Sequence, residues 1–151
     1  MSIQDKLREL NIQLPEVAAP VGAFVQHLCT GNLVFLSGQI AKKDGKPWVG
    51  QLGAQINTSE GKLAARSVAI DLLAALKAAV GDLEKVSRIV KLMVFVNSTP
   101  AFTEQHLVAN GASEFFGEIL GPAGISVRSA FGVAQVPLGS CLEIDLIAEI
   151  S

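Results

Sequence analysis

The spacing of hydrophobic residues is typical of a helix between residues 58 and 80, whereas the segments before and after it have the spacing of strands. This combination limits the possible fold classes. Apolar side chains recur there at helical spacing, at Leu63, Ala65, Ala69, Leu72, Leu73, Leu76 and Val80. Thr58 or Ser59 would cap the N-terminus, and Gly81 would end the helix. The spacing therefore predicts one long α-helix from Thr58 to Val80.

The segments on either side of this helix predict a mixed α+β domain. Runs rich in β-branched and aromatic residues predict strands at 24–28, 33–37, 88–96, 126–133 and 141–149, with a tight turn at 30–32. Residues 38–40 continue the second strand or form a bulge, and residues 42–53 and 117–124 are expected to be loops. Helical spacing predicts a short helix at 3–10 and a second long helix at 101–116, in which Gly111 costs about 1 kcal/mol relative to alanine. Its candidate core residues are Phe102, Leu107, Ala112, Phe115 and Phe116.

The element order β-β-α-β-α-β-β after a short N-terminal helix predicts a two-layer domain with two helices on one face of a mixed β-sheet. We expect one domain over residues 1–151, with an N-terminal extension of about 1–19. Half of the residues are hydrophobic, yet no apolar run is long enough for a membrane span. The second sheet face remains apolar and needs a cover, so we expect an oligomer.

Charge and cysteine content narrow the choice of partner and compartment. The net charge is −2 and the pI is about 5.6, without a basic cluster beyond Lys42 and Lys43, so nucleic acid is not an expected partner. The N-terminal residues are charged and amphipathic, unlike a signal peptide. Cys29 and Cys141 both lie in strand-like apolar contexts that predict reduced, buried thiols. A cytoplasmic location follows.

Motif searches exclude several kinds of site. His27 and His106 lie far apart without further ligands at metal-binding spacing, so no metal site is expected. The chain has no nucleophile elbow, no phosphate-binding loop and no dinucleotide fingerprint, and it lacks tyrosine altogether.

The remaining candidate groups are Arg128 and Glu143, charged residues in otherwise apolar C-terminal strands. A guanidinium is always charged, so Arg128 needs an anion as its partner. One interpretation is a structural ion pair, between adjacent strands or across a subunit interface. The other is a bidentate clamp for a ligand carboxylate, with Glu143 as a base whose pKa is raised by burial. Asp145 has the same strand parity as Glu143 and could replace it in either role.

Three ordered motifs resemble the RidA (YjgF) family. Residues 31–40, GNLVFLSGQI, are similar to its early strand signature, and residues 90–96, VKLMVFV, to its central strand. Arg128-Ser129-Ala130, followed by Val136-Pro137 and Leu142-Glu143-Ile144, resembles its C-terminal signature. The resemblance extends from about Pro20 to Glu149.

The resemblance implies a chorismate-mutase-like α+β fold, a homotrimer with ligand clefts between subunits, and no cofactor. Family members hydrolyse enamine or imine carboxylates, such as 2-aminoacrylate, to 2-oxo acids and ammonia. By this resemblance Arg128 binds the substrate carboxylate, Glu143 positions or activates the attacking water, and Ser37 and Gly38 line the cleft. The same likeness extends the expected pocket wall to Ser129.

Three positions depart from the family pattern and indicate a divergent subgroup. Phe24 stands where the deaminases usually have tyrosine, and Ala130 stands where a cysteine often follows the arginine. Asn110 matches the asparagine of the second helix after a shift of one residue. These changes predict a wider or more apolar pocket. A non-catalytic metabolite-binding or regulatory trimer is one alternative function, and an endoribonuclease or translation inhibitor, which the acidic pI disfavours, is another.

Overall fold

The computed structural model describes residues 1–151 and contains three α-helices and seven β-strands. The helices are α1 (Ile3–Glu9), α2 (Thr58–Val80) and α3 (Gln105–Leu120). The strands are β1 (His27–Thr30), β2 (Leu33–Ile40), β3 (Lys42–Lys43), β4 (Lys46–Pro47), β5 (Val86–Asn97), β6 (Val127–Val133) and β7 (Leu142–Ile150).

One five-stranded mixed sheet organises the molecule, in the order β1-β2-β7-β5-β6. Strands β5 and β6 run parallel to each other, and all other neighbours in this sheet are antiparallel. Helices α2 and α3 pack against each other on one face of the sheet, and a single core of buried apolar side chains lies between the two layers. The predicted α+β class and element order are therefore confirmed. The short β3-β4 hairpin forms a separate two-stranded sheet.

Helix α2 has the predicted bounds, but its N-cap lies one residue earlier than expected. Asn57 accepts a hydrogen bond from the backbone N–H of Glu60 at 2.9 Å, and the Glu60 carboxylate accepts one from the backbone N–H of Asn57 at 3.3 Å. This reciprocal capping box satisfies two donors that a helix start leaves free. The prediction of Thr58 or Ser59 as the cap is wrong. Gly81 ends the helix with a φ of 84°, as predicted.

Two segments in the N-terminal half differ from the prediction. The first strand begins at His27 and not at Phe24, because residues 21–24 form bends ahead of the sheet. The region expected to be a loop after β2 contains the β3-β4 hairpin. Asp44 and Gly45 form its turn with φ values of 54° and 75°, and Asp-Gly is a strong signal for such a two-residue turn. In β2 the strand continues to Ile40, with a register shift between Leu36 and Gln39.

Helix α3 begins and ends four residues later than predicted. A turn in which the N–H of Phe102 donates to the carbonyl of Thr99 precedes it, and the helix starts at Gln105. At its other end the helix continues through Gly117 because Ile119 is completely buried in the core. Gly121, with a φ of 62°, then ends the helix ahead of a short 3-10 turn at residues 121–124, which replaces the predicted loop.

The two cysteines lie in different environments. Cys141 is fully buried, and burial raises the pKa of its thiol to about 11. Cys29 is exposed on the edge strand β1, so the prediction that it is buried is wrong. Edge position explains the difference, because β1 pairs with β2 alone.

The sheet face opposite the helices is uncovered and partly apolar. Strand register places Leu28, Phe35, Phe95 and Phe131 on this face. The rings of Phe95 and Phe131 pack edge to face, with their centroids 5.3 Å apart. Leu28, Phe35 and Phe131 retain 62%, 38% and 42% of their surface in solvent. None of the helices combines the length and the apolar composition needed to cross a bilayer.

Helices α2 and α3 approach most closely at Gly111, which the sequence identified only as a weak helix former. A Cβ atom at this position would lie 2.0 Å from the backbone carbonyl oxygen of Lys62 in α2. That separation is far below a van der Waals contact, and the atom opposed is backbone, which cannot rotate away. Gly111 is therefore required for the spacing of the helix pair.

We expect Gly111→Ala to destabilise the fold although alanine is the better helix former. The clash forces α2 and α3 apart, and overpacking of this kind costs about 1–3 kcal/mol, more than the ~1 kcal/mol that helix propensity returns. Urea denaturation followed by circular dichroism measures the change. Gly117→Ala in the same helix is the matched control, because its Cβ would meet only the mobile end of Ile125, at 3.1 Å. Equal stability of the two variants would contradict the packing argument.

Candidate functional site

Arg128 lies on β6 and points toward helix α3. Its register partner on β5 is Leu92, which is completely buried beneath the helices, so Arg128 occupies the helix-facing side of the sheet. Its Nη1 donates to Asn110 Oδ1 at 2.8 Å and to Ser113 Oγ at 3.0 Å. Its Nη2 donates to the carbonyl oxygen of His106 at 2.9 Å. Three acceptors from one helix thus fix the orientation of the guanidinium.

None of these acceptors carries a charge, so the chain does not neutralise Arg128. The four ion pairs of the molecule involve Arg8, Lys62, Arg66 and Arg88, and no carboxylate pairs with Arg128. A guanidinium has five N–H donors, and the three bonds leave the Nε–H and one Nη2–H without an acceptor. Two such N–H donors can be satisfied by the two oxygens of a carboxylate.

Glu143 lies on β7, on the opposite face of the sheet from Arg128. Its register partner on β5 is Phe95, which belongs to the uncovered face, and β5 separates β7 from β6. An ion pair between Arg128 and Glu143 within one chain, which is one form of the structural interpretation, is therefore excluded.

Burial raises the pKa of the Glu143 carboxyl, and the negative charge of Asp145 raises it further. Asp145 shares the uncovered face with Glu143, as its strand parity predicted. Burial also raises the pKa of Asp145, while the positive charge of Lys91 acts in the opposite direction. A carboxyl with a raised pKa holds its proton to a higher pH than a solvated one, so it can exchange protons with a reacting group.

Gly38 gives the Glu143 side chain the room that it occupies. A Cβ atom at position 38 would lie 2.6 Å from Glu143 Oε2, so any larger residue would displace the carboxylate. Ser37, directly before it, donates its hydroxyl to the carbonyl oxygen of Val25 at 2.6 Å. That bond joins β2 to the segment that carries Phe24, a residue that keeps 46% of its surface exposed.

A cavity of about 1050 Å³, here called the Glu143 cavity, opens beside this group. Its wall includes Phe24, Gly38 and Glu143, the end of β2, the β3-β4 hairpin, one side of α2, and residues 15–21. Within residues 15–21, the carbonyl oxygen of Ala18 accepts a hydrogen bond from Gln26 Nε2 at 3.0 Å.

The predicted site residues thus form two separate groups. Asn110 contacts Arg128 directly, and Ala130 lies beside them on the helix-facing side, opposite the buried Val94. Phe24, Ser37 and Gly38 lie with Glu143. Ser129 is on the uncovered face, opposite Met93, and is separated from Arg128 by the sheet.

Ser113 and the carbonyl group of His106 are partners of Arg128 that the sequence interpretation missed. Ser113 follows Asn110 by three residues, so both lie on one face of α3, and this spacing could have identified it. The carbonyl of His106 leaves no sequence signal, because every residue has one. No group of three or more His, Cys, Asp or Glu side chains is positioned to hold a metal ion.

A mixed sheet with two helices on one face, in this element order, is the chorismate-mutase-like α+β fold. The chain belongs to the YjgF/chorismate-mutase-like family, whose profile, described as "putative endoribonuclease", matches residues 4–150. The resemblance noted in the sequence is thereby confirmed.

The chain is more similar in sequence to two relatives of other names than to a RidA protein. It is 46% identical to the protein TCP17 of Trypanosoma cruzi over 147 residues, covering 96% of this chain and 92% of that protein. The crystal structure of Atu1372, a protein of unknown function from Agrobacterium tumefaciens, is 42% identical with a TM-score of 0.91, covering 99% of this chain and 92% of that one. RidA from an Antarctic Psychrobacter is 26% identical with a TM-score of 0.60, covering 89% and 94%.

We expect Asp145→Asn to lower the pKa of Glu143. The substitution removes the like charge that disfavours ionisation of Glu143, while the burial of Glu143 is retained. NMR titration of the Glu143 side-chain carboxyl carbon measures the shift directly. Glu149→Gln, on the same strand but not among the causes of the Glu143 shift, is the control and should leave the titration unchanged. An unaltered pKa in Asp145→Asn would show that burial alone sets it.

Proposed function

We propose that this protein hydrolyses small enamine or imine carboxylates of the 2-aminoacrylate type to a 2-oxo acid and ammonia. In this proposal Arg128 binds the substrate carboxylate and Glu143 activates water. The observation that carries it is the state of Arg128, whose guanidinium is held by three neutral acceptors, has no counter-charge in its own chain, and keeps two N–H donors free. An anionic ligand with two oxygens completes such a site.

The proposed active site combines residues of two subunits. Arg128 and Glu143 lie on opposite faces of one sheet, so they cannot contact one substrate within a single chain. A cleft between subunits can bring Arg128 of one copy to Glu143 of the next, and the homotrimer implied by the family resemblance has such clefts. The uncovered face, with Phe35 and Phe131, offers apolar surface for the interface.

The reaction needs few chemical groups because an imine carbon is already electrophilic. Protonation of the enamine carbon gives the protonated imine, and water adds to its C=N carbon while Glu143 accepts a proton from the water. Glu143 then returns this proton to the nitrogen of the carbinolamine, ammonia leaves as the C=O bond of the 2-oxo acid forms, and the hydroxyl proton passes to the solvent, where it replaces the proton that the enamine carbon took up. Arg128 holds the carboxylate in one orientation, which removes much of the entropic barrier. The raised pKa of Glu143 suits a group that both accepts and donates a proton.

We expect Arg128→Ala to lower kcat/KM for 2-aminoacrylate by about 100-fold or more. A bidentate, charge-assisted hydrogen-bonded pair of this kind contributes about 3 kcal/mol or more when one partner is removed. The substrate is generated in place by a serine dehydratase, and ammonia release is followed above the spontaneous rate. Arg8→Ala, at an exposed position of α1, is the matched control and should behave as wild type. Absence of any acceleration by the wild-type protein would overturn the proposed function.

A non-catalytic binding protein is the second candidate function. The side-chain partners of Arg128 are an amide and a hydroxyl, so its own chain places no titratable group in contact with it. Calorimetry with a 2-oxo acid separates the two cases. Binding that depends on Arg128, together with no turnover of imines, supports the binding protein. Cleavage of single-stranded RNA that survives Arg128→Ala would instead support a ribonuclease.

Mixing two inactive variants tests the shared site. In a cyclic trimer each site takes Arg128 from one subunit and Glu143 from the next. Randomly mixed Arg128→Ala and Glu143→Gln subunits, unfolded and refolded together, should regain about a quarter of the wild-type activity, because half of the subunits supply each group. Each variant refolded alone is the control. No recovery in the mixture, with mixed oligomers verified by mass, would show that the site lies within one chain.

The cysteines fit a cytoplasmic location for this activity. Neither Cys29 nor Cys141 is in a disulfide. Unpaired cysteines are the normal state in a reducing compartment.

A further inference from the structure

We propose that Ser113 is a positioning residue of the Arg128 site. Its neutral hydroxyl holds Arg128 Nη1, so that a ligand meets only Nε and Nη2, and it does so without neutralising the guanidinium. This inference rests on the proposed function and deepens it, because it concerns how the same site orients its substrate.

The hydrogen bonds of Nη1 are the first observation that supports this role. Nη1 has two N–H donors, and it donates to Asn110 Oδ1 at 2.8 Å and to Ser113 Oγ at 3.0 Å. Both donors are therefore used within the chain. The carbonyl oxygen of His106 takes one N–H of Nη2, which leaves one on Nη2 and one on Nε. Bonds that the ligand does not make thus determine where its carboxylate can bind.

The loss of the Ser113 hydroxyl would change the orientation of a ligand more than its attraction. In Ser113→Ala, Nη1 regains a free N–H, and a carboxylate can then bond to the guanidinium in more than one arrangement. The positive charge is unchanged, so the carboxylate is still attracted. The distance between the imine carbon and the attacking water would no longer be fixed, and the rate of an oriented reaction depends on that distance.

The position of Ser113 on a helix with a fixed location is the second observation. Ser113 follows Asn110 by three residues, so both side chains lie on one face of α3. Gly111, between them, lies directly against the backbone of Lys62 in α2, which fixes the height of α3 above the sheet. Side chains on such a rigid element hold a partner more accurately than side chains on a loop.

The neutrality of Ser113 is the third observation. Glu114, the next residue of α3, pairs with Lys62 of α2, with 3.4 Å between the carboxylate oxygen and Nζ. The same helix therefore gives a carboxylate to a cation of α2, but it gives Arg128 only an amide, a hydroxyl and a backbone carbonyl. A cation held by neutral acceptors keeps its charge for an anionic ligand.

The first test compares turnover with binding in Ser113→Ala. We expect kcat/KM for 2-aminoacrylate to fall by about tenfold or more, because a small misplacement of reacting atoms has an effect of at least this size. The Kd for pyruvate, measured by calorimetry, should change by a clearly smaller factor, since the charge of Arg128 is retained. Arg128→Ala, by contrast, should lose both turnover and pyruvate binding.

Two further variants separate positioning from a structural role. Ser113→Thr keeps a hydroxyl at this position and should restore turnover. Ser59→Ala makes the same chemical change as Ser113→Ala at an exposed position of α2 and should behave as wild type. Circular dichroism verifies that each variant is folded. Wild-type kcat/KM in Ser113→Ala, or a loss of binding equal to the loss of turnover, would overturn the positioning role.

The second test adds a counter-charge at the same position. Ser113→Asp places a carboxylate beside Arg128, so we expect the Kd for pyruvate to rise by about 100-fold, as it would if the guanidinium were removed. Ser113→Asn is the matched control, because asparagine has the size of aspartate but offers a neutral acceptor, and it should bind pyruvate much more tightly than Ser113→Asp. Equal Kd values for these two variants would show that neutrality at position 113 has no role.

The outcomes distinguish this inference from the proposed function. If the wild-type protein hydrolyses 2-aminoacrylate and both tests fail, the inference is wrong and the proposed function stands. If the wild-type protein binds pyruvate without turnover, the proposed function fails, and the Kd values of Ser113→Asp and Ser113→Asn decide whether Ser113 keeps the charge of Arg128 available. If it neither binds nor hydrolyses, both fail.

Discussion

The close contact between helices α2 and α3 at Gly111 determines the arrangement of the Arg128 site. The absence of a side chain at this position lets α3 lie directly against the backbone of Lys62. Asn110 precedes Gly111 and Ser113 follows it by two residues, so the glycine that sets the helix spacing lies between the two side chains that hold Arg128. Hydrogen bonds of 2.8 and 3.0 Å tolerate little displacement of their donors and acceptors. Helix packing and the orientation of the guanidinium therefore depend on the same contact.

The sheet imposes the second constraint, because alternate residues of a strand point to opposite faces. Arg128 shares a face with the buried residues of β5, whereas Glu143 shares the other face with Phe95. The two main candidate residues for the functional site therefore lie on opposite faces of the sheet within one chain. Neither surface is neutral in character: one presents an uncompensated cation, and the other presents carboxyls whose pKa values are raised by burial. A second copy of the chain is the simplest means of joining them.

Sequence patterns predicted the elements well wherever a regular spacing of apolar residues extended over many residues. The end of helix α2 was predicted to the residue and its cap was misplaced by one or two residues, since its apolar stripe extends over about five turns and a glycine follows it. Helix α3 was shifted by four residues, because the buried Ile119 lies beyond a glycine that the local pattern treated as an end. The β3-β4 hairpin was missed although Asp44-Gly45 signals it. The order of the strands in the sheet cannot be predicted from local hydrophobic patterns. The separation of Arg128 from Glu143 was therefore found only in the structure.

The missing counter-charge at Arg128 also affects the stability of the folded protein. A half-buried guanidinium without a counter-charge is less well solvated in the folded chain than in the unfolded one. An anion bound to its two N–H donors that lack an acceptor is consequently a ligand of the native state alone, and it shifts the folding equilibrium by mass action. The abundance of suitable carboxylates in the surroundings and the persistence of the folded protein are thus coupled through one side chain.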